Sequence, residues 1–185
     1  MIKFYTNQEL SQKLNINLAR WKRWSREFLP PDPLGGLQSG YARQYNPDEA
    51  FTVFLGGYLV GELKFTIPEA RRILHDLHDW LTAQKFYFDY TGDARSNADK
   101  GSQIQFYEIA IGRFLGGEAD FIYFTKGVLT DDSIVVDGIP MRRQRFVESI
   151  IPSGTTAEQV NAAASYRVIN ISILRSEFLD SLEGA

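Results

Sequence analysis

The sequence predicts an α+β protein, with a mostly helical N-terminal part followed by a small antiparallel α+β domain. As far as about Gln84, apolar residues recur every three or four positions, which is the spacing of amphipathic helices. From Gln103 they recur at every second position, which is typical of half-buried strands. A polar stretch rich in Gly, Ser and Asn separates the two patterns. We therefore divide the chain into a first domain (1–84), a linker or loop (85–102) and a second domain (103–185).

The first helix is predicted to begin at Asn7. Thr6 can cap it, and Glu9 stands where it would complete a capping box. Asn15 can end this helix, because asparagine tolerates the left-handed conformation that a tight turn requires. Asn17 can then cap a second helix. The spacing therefore predicts two helices joined by a short turn.

The second predicted helix has an apolar side and a basic remainder. Leu18, Trp21 and Ser25 fall on one side. The basic residues are Arg20, Lys22, Arg23 and Arg26. From periodicity alone, two interpretations stay open: a solvated basic face on a core helix, or a surface that binds a polyanion.

Prolines end this helix in the stretch 28–33, because proline can neither donate the helical hydrogen bond nor continue the turn. A Gly-rich loop over 34–40 follows. Residues 41–45, which include Tyr41 and Arg43, are predicted to form a short strand. A hairpin at this place, beside two helices joined by a turn, would be a wing.

Two further helices complete the first domain. Asn46 followed by Pro47 indicates the start of a third helix. Its Gly56 and Gly57 would permit a close helix crossing. Thr66 begins a fourth helix, which continues to about Gln84.

The second domain is predicted to hold several strands and one short final helix capped by Ser176. The predicted strands are residues 103–111, 121–124, 133–136, 145–151 and 165–173, and the final helix is 177–182.

Charge is distributed unevenly, although the 185 residues carry a net charge of only −3. Residues 1–45 hold 7 Lys and Arg against 3 Asp and Glu, a surplus of four positive charges. The rest of the chain is acidic, so the basic surplus is confined to the part that holds the second helix. No cysteine is present, which excludes disulfides and thiolate chemistry. With no signal-peptide pattern and no apolar stretch long enough to span a membrane, we expect a soluble, cytoplasmic protein without membrane contact.

Evidence for catalysis or metal binding is weak. His75 and His78, with neighbouring aspartates, have the spacing of ligands on one helix face, but a solvated helix face is the favoured interpretation. Aromatic residues such as Phe121 and Tyr123 could line an effector pocket, but a core or a dimer interface is favoured. No nucleotide-binding or hydrolase motif is found. We expect no enzyme activity and no cofactor.

An ordered set of residues in the first domain resembles the DNA-binding domain of MerR-type regulators. The set comprises Tyr5-Thr6, Glu9-Leu10, Ile16-Asn17, Trp21-Lys22-Arg23-Trp24, Leu29-Pro30-Pro31, Ser39-Gly40-Tyr41 with Arg43 and Tyr45, and Phe65 to Ala70. The resemblance covers residues 5–74 and implies a winged helix-turn-helix whose second helix reads DNA.

Carried over residue by residue, the resemblance places Trp21 in the core and Lys22 at a DNA-contacting position. It implies a place near the phosphate backbone for Trp24, and a solvent-facing position suited to base or phosphate contact for Arg20. The DNA-binding set that we predict is Arg20, Lys22, Arg23, Trp24, Arg26, Tyr41 and Arg43. The sequence departs from the family at the wing, where Ala42 interrupts the pattern and the loop is rich in proline, and after the domain, where no coiled-coil helix follows.

These observations predict a sequence-specific transcriptional regulator that binds double-stranded DNA as a homodimer. The second domain would serve dimerisation or the sensing of a small-molecule effector that the sequence does not identify. Two alternatives stay open. The protein could be an architectural or excisionase-like DNA-binding protein, or a protein-interaction module whose winged domain no longer binds DNA.

Overall fold

The fold is mixed α+β, which confirms the predicted class. A computed structural model describes residues 3–32, 42–87, 104–114, 121–130, 134–136, 139–141, 144–151 and 163–184. The chain divides into two compact units. Unit 1 comprises Met1–Ala94 and Arg175–Ala185, and unit 2 comprises Arg95–Leu174. Unit 1 is therefore built from two stretches of chain that are far apart in sequence.

Unit 1 holds four helices and two very short strands from the first stretch. In chain order they are β1 (Tyr5–Thr6), α1 (Asn7–Lys13), α2 (Leu18–Phe28), β2 (Gln44–Tyr45), α3 (Pro47–Gly61) and α4 (Ile67–Ala83). Capping boxes start α1, α3 and α4 at Thr6, Asn46 and Thr66, which are the three predicted helix starts; a complete capping box was predicted at Thr6. Each box satisfies backbone N–H groups that would otherwise lack partners at a helix start.

The strand predicted at residues 41–45 is shorter than expected. Among its described residues, 42–45, the strand comprises Gln44–Tyr45, which pairs antiparallel with Tyr5–Thr6. β2 is thus paired with β1, and residues 33–41, which include Tyr41, lie outside the described residues.

The last helix differs most from the prediction. It is α5, Ile171–Glu183, and it begins six residues before the predicted start at Glu177. The Asn170 side chain accepts a hydrogen bond from the Ile173 N–H (3.0 Å), so Asn170 rather than Ser176 lies at the start of the helix.

The later part of α5 belongs to unit 1, where it completes the core. The Phe178 ring is fully buried, and its centroid lies 5.3 Å from that of Phe51 and 5.4 Å from that of Phe54. Arg175 Nε donates a hydrogen bond to the Phe86 carbonyl oxygen (2.7 Å). Aromatic packing and one hydrogen bond therefore hold this helix in place.

Unit 2 is built on antiparallel strands. They are β3 (Ile104–Phe114), β4 (Phe121–Thr130), β5 (Ile134–Val136), β6 (Ile139–Met141), β7 (Gln144–Ile151) and β8 (Ala163–Asn170). Four of them form one sheet in the order β7-β4-β3-β8, and β5 pairs with β6. The predicted strand 165–173 ends at Asn170, because the chain turns into α5 there.

The four-stranded sheet buries one face. Its register places Ile109 opposite both Thr125 and Ile169, and Ile111 opposite Tyr123. All five side chains are buried. Phe121 and Tyr123, which the sequence analysis considered for an effector pocket, are also buried, at 4% and 0% exposed. These two aromatic rings belong to the core of unit 2.

Candidate nucleic-acid interface

The turn before α2 sets the direction of that helix. Asn15 adopts a φ of 51°, the left-handed conformation predicted for it. The Asn17 side chain then accepts hydrogen bonds from the backbone N–H groups of Ala19 (3.0 Å) and Arg20 (3.2 Å). Ser11 donates from its hydroxyl to the Ile16 carbonyl oxygen (2.7 Å), which closes the turn against α1. Local hydrogen bonds therefore define where α2 begins.

The inner face of α2 is held by a buried aromatic and polar cluster. Trp21 is fully buried, and its ring meets that of Tyr45 edge-on, with centroids 5.8 Å apart. The Tyr45 hydroxyl donates to Asn7 Oδ1 (2.7 Å) and shares a second hydrogen bond with the Ser25 hydroxyl (2.9 Å). This cluster connects α1, α2 and β2, so α2 is fixed to both of its neighbours.

A second contact fixes α2 to α3. A Cβ atom added to Gly57 would lie 2.3 Å from the Trp24 ring, and one added to Gly56 would lie 2.6 Å from the Phe28 ring. The two glycines thus permit the close helix crossing that the sequence predicted. Trp24, which the resemblance placed near the phosphate backbone, packs at this crossing while remaining half-buried.

The outer face of α2 presents four cations. Arg20, Lys22, Arg23 and Arg26 are all exposed. The Arg20 guanidinium lies 5.9 Å from the centroid of the Trp24 ring, a cation–π contact. Within the described residues, Lys22, Arg23 and Arg26 form no ion pair. The acidic residue of this helix, Glu27, is instead paired with Arg71 of α4.

Arg43 lies in a different environment from the one its predicted role requires. Its guanidinium donates to the Pro30 carbonyl oxygen (2.8 Å) and forms an ion pair with Glu49 (3.3 Å). The Arg43 side chain is only 15% exposed. It therefore joins the segment after α2 to the start of α3, and the structure does not bring it onto the exposed face of α2.

The two histidines of α4 are exposed, and His78 Nδ1 lies 3.4 Å from a carboxylate oxygen of its neighbour Asp79. Asp76 is paired with Arg72 one turn earlier (2.9 Å), and the His78 ring lies 5.4 Å from that of Tyr87. Among the described residues, no group of three or more candidate ligands is placed to hold a metal ion.

Sequence reasoning missed the Tyr45, Asn7 and Ser25 cluster, which positions the site without touching its surface. One signal was available. Ser25 falls on the apolar side of α2, and a polar side chain at such a position needs a hydrogen-bonding partner. The partner could not be identified from sequence, because Tyr45 is 20 residues away.

The candidate interface as a whole is a basic helix whose inner face is fixed by its contacts with α1, β2 and α3. Unpaired cations on one helix can bind phosphate groups and can donate hydrogen bonds to the edges of bases. Comparisons of this chain with protein-family models, with curated proteins and with solved structures find no match. Within the parts of the chain that the structure describes, no helix has the length and apolar character needed to cross a membrane.

Proposed function

We propose that this protein is a sequence-specific transcriptional regulator, and that unit 1 is a MerR-like winged helix-turn-helix that binds double-stranded DNA. The observation that supports the proposal is the outer face of α2. It carries four exposed cations, of which Lys22, Arg23 and Arg26 have no acidic partner among the described residues. Cations clustered on one face create a positive surface potential that attracts polyanions such as DNA.

The proposed roles follow from position on the helix. Helical spacing places Lys22, Arg23 and Arg26 in one outward stripe, with Arg20 beside them. In the second helix of a helix-turn-helix, residues near the N-terminus reach base edges. Arg20, Lys22 and Arg23 would therefore contact bases or adjacent phosphates, and Arg26 a phosphate. Arg43 would position β2, and Tyr41 remains a predicted DNA contact.

A homodimer belongs to this proposal. One module with a small basic surplus binds DNA weakly, whereas two modules that read two half-sites combine their affinities. Unit 2 would provide the dimer contact or would sense a small-molecule effector. The predicted cytoplasmic location is part of the same proposal.

The test is selection of bound sequences from random DNA duplexes at near-physiological salt. Recovery of an inverted repeat would support a dimeric regulator and would identify its operator. Salt-sensitive binding without sequence enrichment would favour an architectural protein. Absence of binding even at low salt would contradict every DNA-binding hypothesis.

Charge reversals then test the residues. Lys22→Glu and Arg23→Glu should each weaken binding and lower the logarithmic salt slope by about 0.9 for each phosphate that the side chain no longer neutralises. Lys85→Glu is the matched control. It reverses the same charge at an exposed residue that follows α4 and lies outside α2. If Lys85→Glu weakened binding as much as the other two, overall charge rather than α2 would account for the affinity.

A protein-interaction module is the second candidate, and one observation favours it. The wing arginine expected to contact DNA, Arg43, is instead bound to Glu49 and to Pro30. If the wing no longer binds DNA, the double variant Lys22→Glu with Arg23→Glu would leave the function of the protein intact. Loss of function in that variant would exclude this candidate.

A further inference from the structure

A cavity lies beside α2 in unit 1, on the side of the helix that faces β2. Its volume is about 400 Å³. The lining residues that matter for its chemistry are Asn7, Lys22, Arg26, Asp32, Arg43 and Tyr45. All of them belong to unit 1 and to the described part of the chain.

The charge of this cavity is positive. Lys22, Arg26 and Arg43 line it, against the single carboxylate of Asp32. Lys22 and Arg26 are four residues apart on α2, so their side chains project from the same side of the helix. Neither is paired with an acidic group among the described residues. Two cations that form no ion pair among the described residues thus line one space, and they outnumber the single carboxylate of Asp32 that lines it with them.

The inner wall of the cavity is polar and rigid. The Tyr45 side chain is 1% exposed, and its hydroxyl is held between Asn7 and Ser25. The Arg43 guanidinium is held by the Pro30 carbonyl oxygen and by Glu49. An arginine has five N–H donors, so donors remain after these two contacts. Fixed donors beside two unpaired cations are the groups that bind a phosphate oxyanion.

We infer that this cavity is a binding site for a phosphate group. Two sources share this chemistry: a backbone phosphate of bound DNA, and the phosphate of a free small molecule. Binding of a DNA backbone phosphate rests on the proposed function, whereas binding of a free phosphate compound does not. Lys22 and Arg26 belong both to this site and to the outer face of α2, so a backbone phosphate of bound DNA that occupied the cavity would exclude a free phosphate compound from it.

The first experiment uses inorganic phosphate and the full chain. Phosphate is titrated against chloride at matched ionic strength, and thermal unfolding is followed by tryptophan fluorescence. A ligand that binds the folded protein raises its unfolding temperature. The inference predicts stabilisation by phosphate that exceeds that by chloride and saturates with concentration, whereas the general stabilisation that comes from exclusion of phosphate from the protein surface does not saturate. Equal stabilisation by the two salts would overturn it.

Two arginine variants locate the site. Arg26→Gln should weaken phosphate binding about tenfold, since one charge-assisted hydrogen bond is removed. Arg23→Gln removes the same charge from the same helix, but Arg23 does not line the cavity. Its effect should stay within about twofold, the size expected from an exposed charge that does not touch the bound phosphate and is screened by salt. Equal weakening by both variants would show general attraction to a basic helix and would contradict a defined site.

A second experiment separates the two sources. Inorganic phosphate is titrated into the protein bound to its selected DNA duplex. Competition with DNA would support a shared site that takes a backbone phosphate. Phosphate binding by a protein that binds no DNA would support the free compound and would contradict the proposed function alone. If phosphate stabilised neither wild type nor Arg23→Gln, the inference would fail whatever the DNA result.

Discussion

At the scale of single residues, two glycines decide how closely α2 can approach α3. Gly56 and Gly57 face the rings of Phe28 and Trp24, and neither position has room for a methyl group. Gly61, at the end of the same helix, faces open space. Within α3, therefore, the packing requires glycine at Gly56 and Gly57 but not at Gly61.

Gly57→Ala should destabilise the protein by about 1–2 kcal/mol, because the displacement of the Trp24 ring outweighs the better helix propensity of alanine. Gly61→Ala is the control, and it should leave the free energy of unfolding unchanged or raise it by up to about 1 kcal/mol. Urea unfolding followed by tryptophan fluorescence measures both. A stabilised Gly57→Ala variant would show that the crossing is looser than the structure indicates.

A second residue, Tyr45, contributes to stability in a pH-dependent way because it is buried. Desolvation raises the pKa of the Tyr45 hydroxyl above its ordinary value of 10.0, partly offset by the hydrogen bond with Ser25 and by the Arg43 charge. The folded state thus favours the protonated form. Its contribution to stability is fully present below pH 10 and is lost as the pH rises through the raised value.

Tyr45→Phe should cost about 1 kcal/mol at neutral pH, where it removes the hydrogen bonds to Asn7 and Ser25. Above pH 10 the difference from wild type should shrink by up to about 1.4 kcal/mol per pH unit, because phenylalanine does not ionise. Unfolding free energies measured on either side of pH 10 test this. A difference that is the same at every pH would mean that Tyr45 does not titrate with unfolding.

At the scale of elements, the packing of α5 in unit 1 relies on the aromatic side chain of Phe178. Phe178 is fully buried against Phe51 and Phe54, whereas Ile173 on the same helix is 55% exposed. Phe178→Ala should cost about 3–5 kcal/mol, through reduced burial and the cavity left behind. Ile173→Ala, the matched control, should change stability by no more than about 0.5 kcal/mol. Thermal unfolding of both variants decides whether α5 is part of the core of unit 1.

Helix starts could be predicted from sequence because their chemistry is local. Thr6 with Glu9, Asn46 with Glu49, and Thr66 with Glu69 each form a capping box within four residues. The start of α5 could not be predicted with the same rule. Ile169, Ile171 and Ile173 alternate as in a strand, yet Ile171, Leu174, Phe178 and Leu182 have helical spacing and are buried. Tertiary burial decided between two patterns that the sequence carries together.

The candidate site likewise combines local features, which the sequence predicts, with tertiary features, which it does not. The exposure of the basic residues on α2 follows from helical periodicity, which is a local property. The environment of Arg43 does not follow from a local property of the sequence, because it depends on the Pro30 carbonyl oxygen 13 residues away. The phosphate cavity beside α2 could not be predicted at all, since its walls come from α1, α2 and β2.

At the scale of the whole molecule, unit 1 is discontinuous. Residues 1–94 and 175–185 form one compact unit, although all of unit 2 lies between them in the sequence. The basic surplus of residues 1–45 also lies within unit 1. A protein divided in this way cannot be cut at a single point into two complete units.

Removal of residues 175–185 should abolish the cooperative unfolding of unit 1, because Phe51 and Phe54 lose the Phe178 ring that covers them. The three tryptophans, Trp21, Trp24 and Trp80, all belong to unit 1, so their fluorescence reports on this unit alone. Removal of residues 184–185 is the control and should leave the transition unchanged. A sharp transition in the shorter variant would show that residues 1–94 fold without α5.

The discontinuity of unit 1 has a consequence for protein synthesis. The ribosome releases the basic helix before any of unit 2, but the segment that covers Phe51 and Phe54 emerges only after unit 2. Domains commonly fold in order as the nascent chain leaves the ribosome, and here the first unit cannot be completed before the second has been made. A translation product that stops short of residue 175 would lack the Phe178 ring that packs on Phe51 and Phe54, so its unit 1 would stay incomplete. The DNA binding that we propose would therefore require chains translated past this segment.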